Sequence, residues 1–332
     1  MRKILSFFLF ILPLTCMAQH IIDVHSHMIP QSYLDFLAKH DALLEEDFPI
    51  PKWDLEQHLK FMDDAGIQCS VLSLPAPQPW FGDNGESAEV VRKINEEMAE
   101  VKAKHDGRFL FCATLPLPNV EAAVNEAIYA LDTLHADGVK LASNSRGLYL
   151  GDPALDTLMQ VLNERDAVII THPHKPSAVN TQLTSVVPLA SYEYLAETTR
   201  AILNMVAYNI TIRYPKLKVV VPHCGSFLPL AVPRMQSLMP VMNGVGYLKG
   251  VEIAKNLEAF YYDLAGAATP ATIKELLTIT SPSHLLYGTD YPYVAAPVLI
   301  KNLQVLKKNL QEIVPQDVEQ VLQNNAQQLF KK

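Results

Sequence analysis

The sequence has few cysteines, and this scarcity excludes a fold that depends on a network of disulfides. There are four cysteines in 332 residues, and Cys16 falls in an apolar stretch at the N-terminus. The others, Cys69, Cys112 and Cys224, form an odd set with no short-range pairing pattern. Cys69 and Cys112 lie inside apolar, strand-like runs, so we expect both to be buried small hydrophobic residues.

Positive charge is also in short supply. The chain has 27 Lys and Arg against 35 Asp and Glu, which is a formal net charge of −8. This acidic balance excludes broad electrostatic binding of nucleic acid. The sequence contains no low-complexity segment and no linker that would separate domains, so we expect a single domain.

A long apolar run occurs at the N-terminus, and no second one follows it. Two basic residues precede an apolar core at positions 4–14, and Cys16-Met17-Ala18 resembles a signal-peptide cleavage site. The core is shorter than the roughly 20 residues that cross a bilayer. We therefore expect residues 1–18 to be removed, leaving a periplasmic or secreted domain of residues 19–332 that is not held by a membrane. Lipid attachment at Cys16 is the alternative.

The rest of the chain alternates short apolar runs with amphipathic stretches. Eight runs predict strands at residues 21–24, 67–72, 109–114, 138–141, 168–171, 217–221, 260–264 and 284–287. Helical patterns follow at residues 55–64, 88–105, 120–134, 154–163, 192–208, 228–239, 271–277, 296–309 and 315–330. This alternation indicates an α/β protein with a parallel sheet, and eight such units in about 300 residues predict a closed (β/α)8 TIM barrel.

Histidines and one aspartate stand at the ends of four predicted strands. His25 and His27 follow the first strand, and a spacing of two puts both imidazoles on one side of an extended chain. His172, His223 and Asp290 follow the fifth, sixth and eighth strands. The carboxyl ends of all strands converge at one mouth of a barrel. Because metals such as zinc take about four donors, of which imidazole is a common one, these residues predict a metal site.

The donors differ in the chemistry that they suit. Three histidines, at positions 25, 27 and 172, are the better ligands for a borderline metal such as zinc, with manganese and cobalt as alternatives. Asp290 can ligate the metal, can take a proton from water on the metal, or can be a plain turn residue. His223, with an ordinary pKa of about 6.5, suits acid/base catalysis. Asp263 is expected to orient a ligand imidazole or to cap a turn.

The ordered motifs resemble a known family. Asp23-Val24-His25-Ser26-His27, His172-Pro173, His223-Cys224-Gly225-Ser226 and the run from Tyr287 to Pro292 are similar to the amidohydrolase superfamily. In particular they resemble the amidohydrolase-2 branch, which contains aminocarboxymuconate-semialdehyde decarboxylase. The resemblance covers nearly the whole chain after residue 18.

The resemblance implies roles for individual residues. One divalent, zinc-type metal would be held by His25, His27, His172 and Asp290, and His223 would act on the metal-bound water or the substrate. Arg234, eleven residues after His223, would bind a substrate carboxylate in the site of a neighbouring subunit, which implies a homodimer. A plain surface arginine is the alternative.

The chain also departs from that branch. The second substrate arginine is missing, and Lys52 is the cation in the corresponding stretch. His174 replaces an aromatic residue, and we expect it to be a solvated loop residue, with a distant base as the alternative. Cys224 replaces glycine and should point away from the metal if the strand continues. We interpret Lys140, in the fourth predicted strand, as a structural or substrate-facing cation rather than a carbamylated metal bridge.

Three functions are compatible with these residues. The first is metal-dependent decarboxylation of a small unsaturated or aromatic carboxylic acid, which Arg234 favours. The second is hydrolysis of a lactone, ester or amide at the same site, which export and the missing second arginine favour. The third is a non-catalytic periplasmic binder of metal or carboxylate, against which His223 and Asp290 argue. Two mouth loops, residues 76–85 with Trp80 and Phe81, and residues 174–191, should set the substrate.

Overall fold

Eight parallel strands form one sheet in the computed structural model, which describes residues 20–45, 48–177, 187–266 and 268–331. The predicted export signal, residues 1–18, lies outside the described residues. The strands are β1 (Ile21–His27), β2 (Ile67–Ser73), β3 (Phe109–Thr114), β4 (Gly138–Ala142), β5 (Val168–His172), β6 (Lys218–Val221), β7 (Tyr261–Asp263) and β8 (Leu285–Leu286). Their order in the sheet is their order in the chain.

The sheet closes on itself between β1 and the segment that follows β8. The Val24 N–H donates to the carbonyl of Tyr287 at 2.9 Å, and the His27 N–H donates to that of Tyr291 at 2.7 Å. Ser26 and Tyr291 also form a parallel bridge. The predicted (β/α)8 barrel is therefore confirmed.

Helices connect the strands and surround the barrel. They are α1 (Gln31–Lys39), α2 (Leu55–Ala65), α3 (Asn84–Lys104), α4 (Val120–Asp132), α5 (Asp156–Glu164), α6 (Glu193–Ala207), α7 (Ile210–Arg213), α8 (Leu228–Gly244), α9 (Ile253–Ala259), α10 (Pro270–Leu276), α11 (Ala296–Ile313) and α12 (Asn325–Leu329). The eight helices predicted between and after the strands are present, with ends shifted by a few residues. Helices α1, α7 and α9 were not predicted. Pro30 precedes α1 without a side-chain cap, so the usual sequence signal for a helix start is missing there.

The predicted last helix over residues 315–330 is present but begins later, at residue 318, and ends at residue 329. Pro315 lies in a turn, in which the Asp317 N–H donates to the carbonyl of Val314 at 2.9 Å. A π-helical turn, Gln320–Asn324, then leads into α12.

Two apolar layers fill the protein. The outer layer lies between strands and helices, and the inner layer fills the barrel below the mouth. The inner layer consists of inward-facing strand residues: Ile22, Val24, Cys69, Val71, Cys112, Val168, Ile170, Val220 and Leu286. Cys69 and Cys112 are thus buried, as predicted, and they are free thiols, as is Cys224.

Helix α12 closes the lower end of the barrel. Ala326 and Leu329 pack against the inner layer, together with the partly buried Phe330. The Asn325 side chain donates to the carbonyls of Pro282 at 2.8 Å and Leu285 at 2.7 Å, which fixes this helix under β8. Among the described helices, none combines the length and the apolar character that a membrane span requires.

One buried histidine lies in the outer layer. His58 is fully buried against Phe61, Phe109 and Tyr291. Its Nδ1 accepts a hydrogen bond from the Trp53 indole at 3.0 Å, while its Nε2 has no partner in the described part of the chain. Burial lowers the pKa of His58 to about 3, so the folded protein holds it neutral.

His58 should make the fold sensitive to acid. In the unfolded chain its pKa is about 6.5, so between that value and about pH 3 the unfolded state binds more protons than the folded state. The resulting loss of unfolding free energy is about 1.4 kcal/mol per pH unit below pH 6.5. We compare the free energy of unfolding in urea of the wild type with that of His58→Leu. The value for the wild type, relative to that for the variant, should fall by about 2 kcal/mol from pH 7.5 to pH 5.

Phe61→Leu is the matched control, because it alters the same cluster without removing a titratable group. Its difference from wild type should not depend on pH. If the free energy of unfolding of His58→Leu relative to wild type were also independent of pH, the prediction would be wrong.

Candidate metal centre

The four predicted ligands meet at the C-terminal end of the barrel. One donor atom from each of His25, His27, His172 and Asp290 lies within 4.8 Å of the others. The ring centroids of His25 and His27 are 5.1 Å apart, and those of His27 and His172 are 4.8 Å apart. The predicted convergence of these side chains is confirmed.

An irregularity in β1 brings both of its histidines inward. From Asp23 to Ser26 the strand advances three residues, while its partner advances only two, from Ser70 to Leu72. Such an extra residue is a β-bulge, which re-aims the side chains beyond it. Val24 can therefore pack in the inner layer while His25, the next residue, also points into the barrel.

His27 and His172 are held in the tautomer that a metal ligand needs. Nδ1 of His172 lies 2.9 Å from the carbonyl oxygen of Pro173, and Nδ1 of His27 lies 3.4 Å from that of Ser73. Because a carbonyl only accepts, each Nδ1 carries the hydrogen and each Nε2 keeps its lone pair. Burial lowers the pKa of both imidazoles, that of His172 well below its ordinary value, so both are neutral.

Asp263, at the end of β7, orients the third imidazole. Its Oδ2 accepts a hydrogen bond from Nδ1 of His25 at 2.8 Å, as the sequence predicts for an orienting carboxylate. Its Oδ1 accepts the backbone N–H groups of His223 and Ala265, both at 3.0 Å. Burial disfavours a charged His25, but the charge of Asp263 outweighs it and raises the pKa of His25 to about 9.

A tight turn after β8 positions Asp290. Its N–H donates to the carbonyl of His25 at 2.8 Å, and its φ is 65°. The preceding Thr289 donates its hydroxyl to Asp23 at 2.6 Å, which ties this turn to β1. Burial favours the neutral acid, but the adjacent imidazole of His27 and the charge on His25 outweigh it and lower the pKa of Asp290 to about 2. Asp290 is therefore not a plain surface turn residue.

The arrangement fits one divalent metal ion. Nε2 of His27 lies 3.1 Å from Oδ1 of Asp290, and two lone pairs face each other there when His27 is neutral. Nε2 of His25 is buried and makes no hydrogen bond within the described residues. A cation between these atoms would satisfy all of them. Three imidazoles and one carboxylate are a donor set that zinc and similar metals accept.

His223 lies beside the four donors. Its ring centroid is 5.2 Å from that of His25 and 6.4 Å from that of His172. Its Nδ1 is buried without a hydrogen-bond partner in the described chain, and burial lowers its pKa. A neutral imidazole at this position can accept or donate a proton, so the geometry is compatible with the predicted acid/base role.

A cavity of about 810 Å³ opens above these residues. Its wall contains His172, His223 and Asp290, and it is otherwise mainly apolar. The apolar part of the wall is formed by Ala76, Pro173, Ala190, Leu195, Phe227, Pro229, Leu230, Ala271, Tyr293 and Val294. Both predicted mouth loops thus contribute to the described wall, whereas Trp80 and Phe81 do not belong to it.

Arg234 and Lys52, the two cations singled out in the sequence, lie outside this wall. Arg234 is exposed on α8, and Lys52 is exposed before α2. The residue that lines the cavity from the loop before α2 is Glu45 instead. Lys52, the cation in the stretch where the second arginine is missing, therefore does not line the described cavity. The position of Arg234 leaves its role toward a neighbouring subunit a prediction.

One prediction about a loop residue is wrong, and another does not apply. His174 is buried, with 8% of its surface exposed, and its Nε2 lies 3.4 Å from the backbone nitrogen of Gln78, which donates to it. Burial lowers the pKa of His174 to about 4, so it is not a solvated loop residue. Cys224 was expected to point away from the metal if the strand continued. Strand β6 ends at Val221, and Cys224 turns with a φ of 53° and forms part of the cavity wall.

The sequence interpretation missed several residues that shape the site. Ser73, at the end of β2, holds His27, and its position at a strand end was a usable signal. Tyr293 lies with its ring 5.7 Å from that of His27. Glu45 stands in a short hairpin, where it accepts a hydrogen bond from Tyr194 at 3.2 Å. Neither Tyr293 nor Glu45 belongs to a recognisable motif.

Comparisons with known proteins agree with this geometry. The 6-methylsalicylic acid decarboxylase of Penicillium expansum is 32% identical over 276 residues, which is 82% of this chain and 84% of that protein. A crystal structure of amidohydrolase II has a TM-score of 0.87 and 30% identity, and covers 94% of this chain and 100% of its own.

A third comparison supports the fold. The 5-carboxyvanillate decarboxylase of Novosphingobium aromaticivorans, solved with manganese and 4-hydroxy-3-methoxy-5-nitrobenzoic acid, has a TM-score of 0.81 at 19% identity, covering 94% of this chain and 96% of that one. The family model for amidohydrolases matches residues 22–332. With the match extending over nearly the whole chain, and with the donors arranged as the motifs predict, this protein belongs to the amidohydrolase family.

Proposed function

We propose that this protein is a metal-dependent decarboxylase of aromatic carboxylic acids that carry a hydroxyl group next to the carboxylate. The observation that carries the proposal is the position of the metal donors at the floor of a mainly apolar cavity. A volume of about 810 Å³ accommodates a single substituted ring. The related decarboxylases act on acids of this kind, such as 6-methylsalicylic acid.

The chain supplies groups for each part of such a reaction. A divalent metal on the four donors would bind and polarise substrate oxygens. The apolar wall, with Phe227 and Tyr293, would hold the ring and exclude water. His223 would take the proton of the substrate hydroxyl, with Asp290 as the neighbouring group for proton exchange, and would then give it to the ring carbon that bears the carboxylate, which interrupts the aromatic ring. The bond to the carboxylate carbon then breaks, carbon dioxide leaves, and the electron pair of that bond restores the aromatic ring.

We further propose zinc as the metal. Three imidazoles and one carboxylate are a donor set typical of zinc. Manganese is the alternative, supported by its presence in the 5-carboxyvanillate decarboxylase of Novosphingobium aromaticivorans.

The proposed reaction predicts release of carbon dioxide from hydroxylated aromatic acids. Protein loaded with zinc or manganese should convert 6-methylsalicylic, 2,6-dihydroxybenzoic or 5-carboxyvanillic acid to the phenol with one carbon fewer. The conversion is measured by a carbon dioxide assay and by chromatography of the phenol. His223→Asn should retain the metal and lose at least about 100-fold in rate, because positioned acid/base help is removed. Turnover of lactones or esters without carbon dioxide release would instead assign the protein as a hydrolase.

The contact between Asp263 and His25 predicts weaker metal binding in Asp263→Asn. Without the carboxylate charge, the ligand imidazole is less firmly oriented and less basic, and loss of such a partner costs about 10- to 100-fold in metal affinity. The affinity is measured by competition with a chelator. Asp137→Asn is the control, since Asp137 precedes β4 at the opposite end of the barrel and pairs with Lys102. Equal affinities in all three proteins would contradict the proposed role of Asp263.

We also propose that the protein is exported and forms a homodimer, and mass spectrometry tests both. The N-terminal apolar run supports cleavage after residue 18, and the exposed position of Arg234 on α8 is compatible with a homodimer in which it reaches the partner's cavity. Mass spectrometry of the protein recovered from the periplasm should give a denatured chain that begins at Gln19 and a native mass twice as large. An intact N-terminus would contradict export, and a native monomer would contradict the dimer.

A further inference from the structure

Lys140 projects into the barrel below the metal donors. In β4 it pairs with Thr114 of β3 and Ile170 of β5. Its neighbours Val139 and Leu141 belong to the outer layer, so the alternation of a strand directs Lys140 inward, where Ile170 also points. Only 3% of its surface is exposed.

The ammonium group of Lys140 has no counter-charge in the described residues. No carboxylate forms an ion pair with it, and it donates no hydrogen bond to any group in the parts of the chain that the structure describes. A buried charge without a partner is strongly unfavourable, and such groups are normally paired. Burial accordingly lowers the pKa of Lys140 to about 8. An anion that arrives from outside would supply the missing partner.

The site around Lys140 already favours anions. Its charge acts on three neutral imidazoles, those of His27, His172 and His174. One divalent ion on three neutral imidazoles and Asp290, with the ionised Asp263 beside His25, would leave these groups with no net charge, to which Lys140 adds one positive charge. The floor of the cavity is thus cationic once the metal is bound.

The cavity wall has the opposite character. Its described charged residues, apart from Asp290 and the histidines, are Glu45 and Glu275, and no Lys or Arg is among them. Tyr293 lies in the wall with its ring 5.7 Å from that of His27. Burial raises its pKa, and the charges of Asp290 and Glu45 add to this effect. A carboxylate entering the cavity is therefore attracted to the floor rather than to the wall.

We propose that Lys140 binds the carboxylate of the substrate and, together with the metal, directs that group to the floor of the cavity. This role rests on the proposed decarboxylation of aromatic acids and identifies the second positive group that holds the acid. Lys140 is a substrate-binding residue in this role.

Calorimetric binding of benzoate and benzamide to the metal-loaded protein tests this role. Benzoate lacks the hydroxyl that activates the ring toward loss of carbon dioxide, and benzamide has nearly the same shape without the charge. In Lys140→Met, affinity for benzoate should fall at least about tenfold, the scale of one hydrogen bond to a charged group, while that for benzamide changes less than about twofold. Lys307→Met, which removes a half-buried lysine from α11, is the control and should change neither affinity.

Folding is checked separately. Each variant should retain one equivalent of metal and the far-ultraviolet circular dichroism of the wild type. Replacing a buried, unpaired charge by an apolar side chain of similar length is not expected to destabilise the protein. If Lys140→Met fails to fold, Lys140→Gln keeps a polar side chain and should show the same selective loss of benzoate affinity.

Several outcomes would overturn the proposal. Equal losses for benzoate and benzamide would indicate a structural role, and unchanged benzoate affinity, or no benzoate binding by the wild type, would exclude a carboxylate contact. A second metal equivalent that depends on bicarbonate and disappears in Lys140→Met would make Lys140 a metal ligand instead. Selective loss of benzoate in a protein that releases no carbon dioxide from any acid would support Lys140 while refuting the decarboxylase assignment.

Discussion

The carboxylate of Asp263 is the constraint on which the rest of the site depends. One of its oxygens holds Nδ1 of His25, and the other holds the backbone of His223. A ligand imidazole and the candidate acid/base are therefore fixed by one buried group. The Asp23–Thr289 hydrogen bond does the same for β1 and the turn after β8. These contacts tie together strand ends that are far apart in the chain, although most residues of the site lie at the edges of loops.

The ligands could be predicted from the sequence because each stands where an apolar strand ends. In a parallel barrel those ends meet, so a metal site among five candidate residues follows without knowledge of any loop, whereas the set of four ligands was implied by the family resemblance. The direction of His25 did not follow in the same way. Regular alternation after the inward-facing Val24 would have turned His25 outward, and only the β-bulge directs it to the metal. A bulge is defined by the register of the partner strand, which the sequence of β1 alone does not contain.

The parts that could not be predicted depend on contacts between distant loops. His174 is buried because Gln78, from the loop after β2, covers it. Glu45 reaches the cavity because its hairpin folds over the mouth, where Lys175 lies 3.5 Å and Tyr194 lies 3.2 Å from its carboxylate. Lys52 looked more suitable from charge alone, yet it faces solvent. Local patterns determine strands and capped helices, whereas the cavity wall is assembled from loops whose positions are set by the completed barrel.

The packed interior of the barrel and the helix beneath it determine the route by which molecules enter and leave the site. Inward-facing side chains of the described strands fill the barrel below the metal donors, and α12 with Phe330 covers the lower end of the barrel. The cavity above the donors therefore opens toward the mouth loops, and whatever enters must depart by the same opening. A second reactant cannot approach from behind while the first occupies the floor. Substrate binding and product release must therefore alternate, so release of product through the mouth can limit the turnover rate.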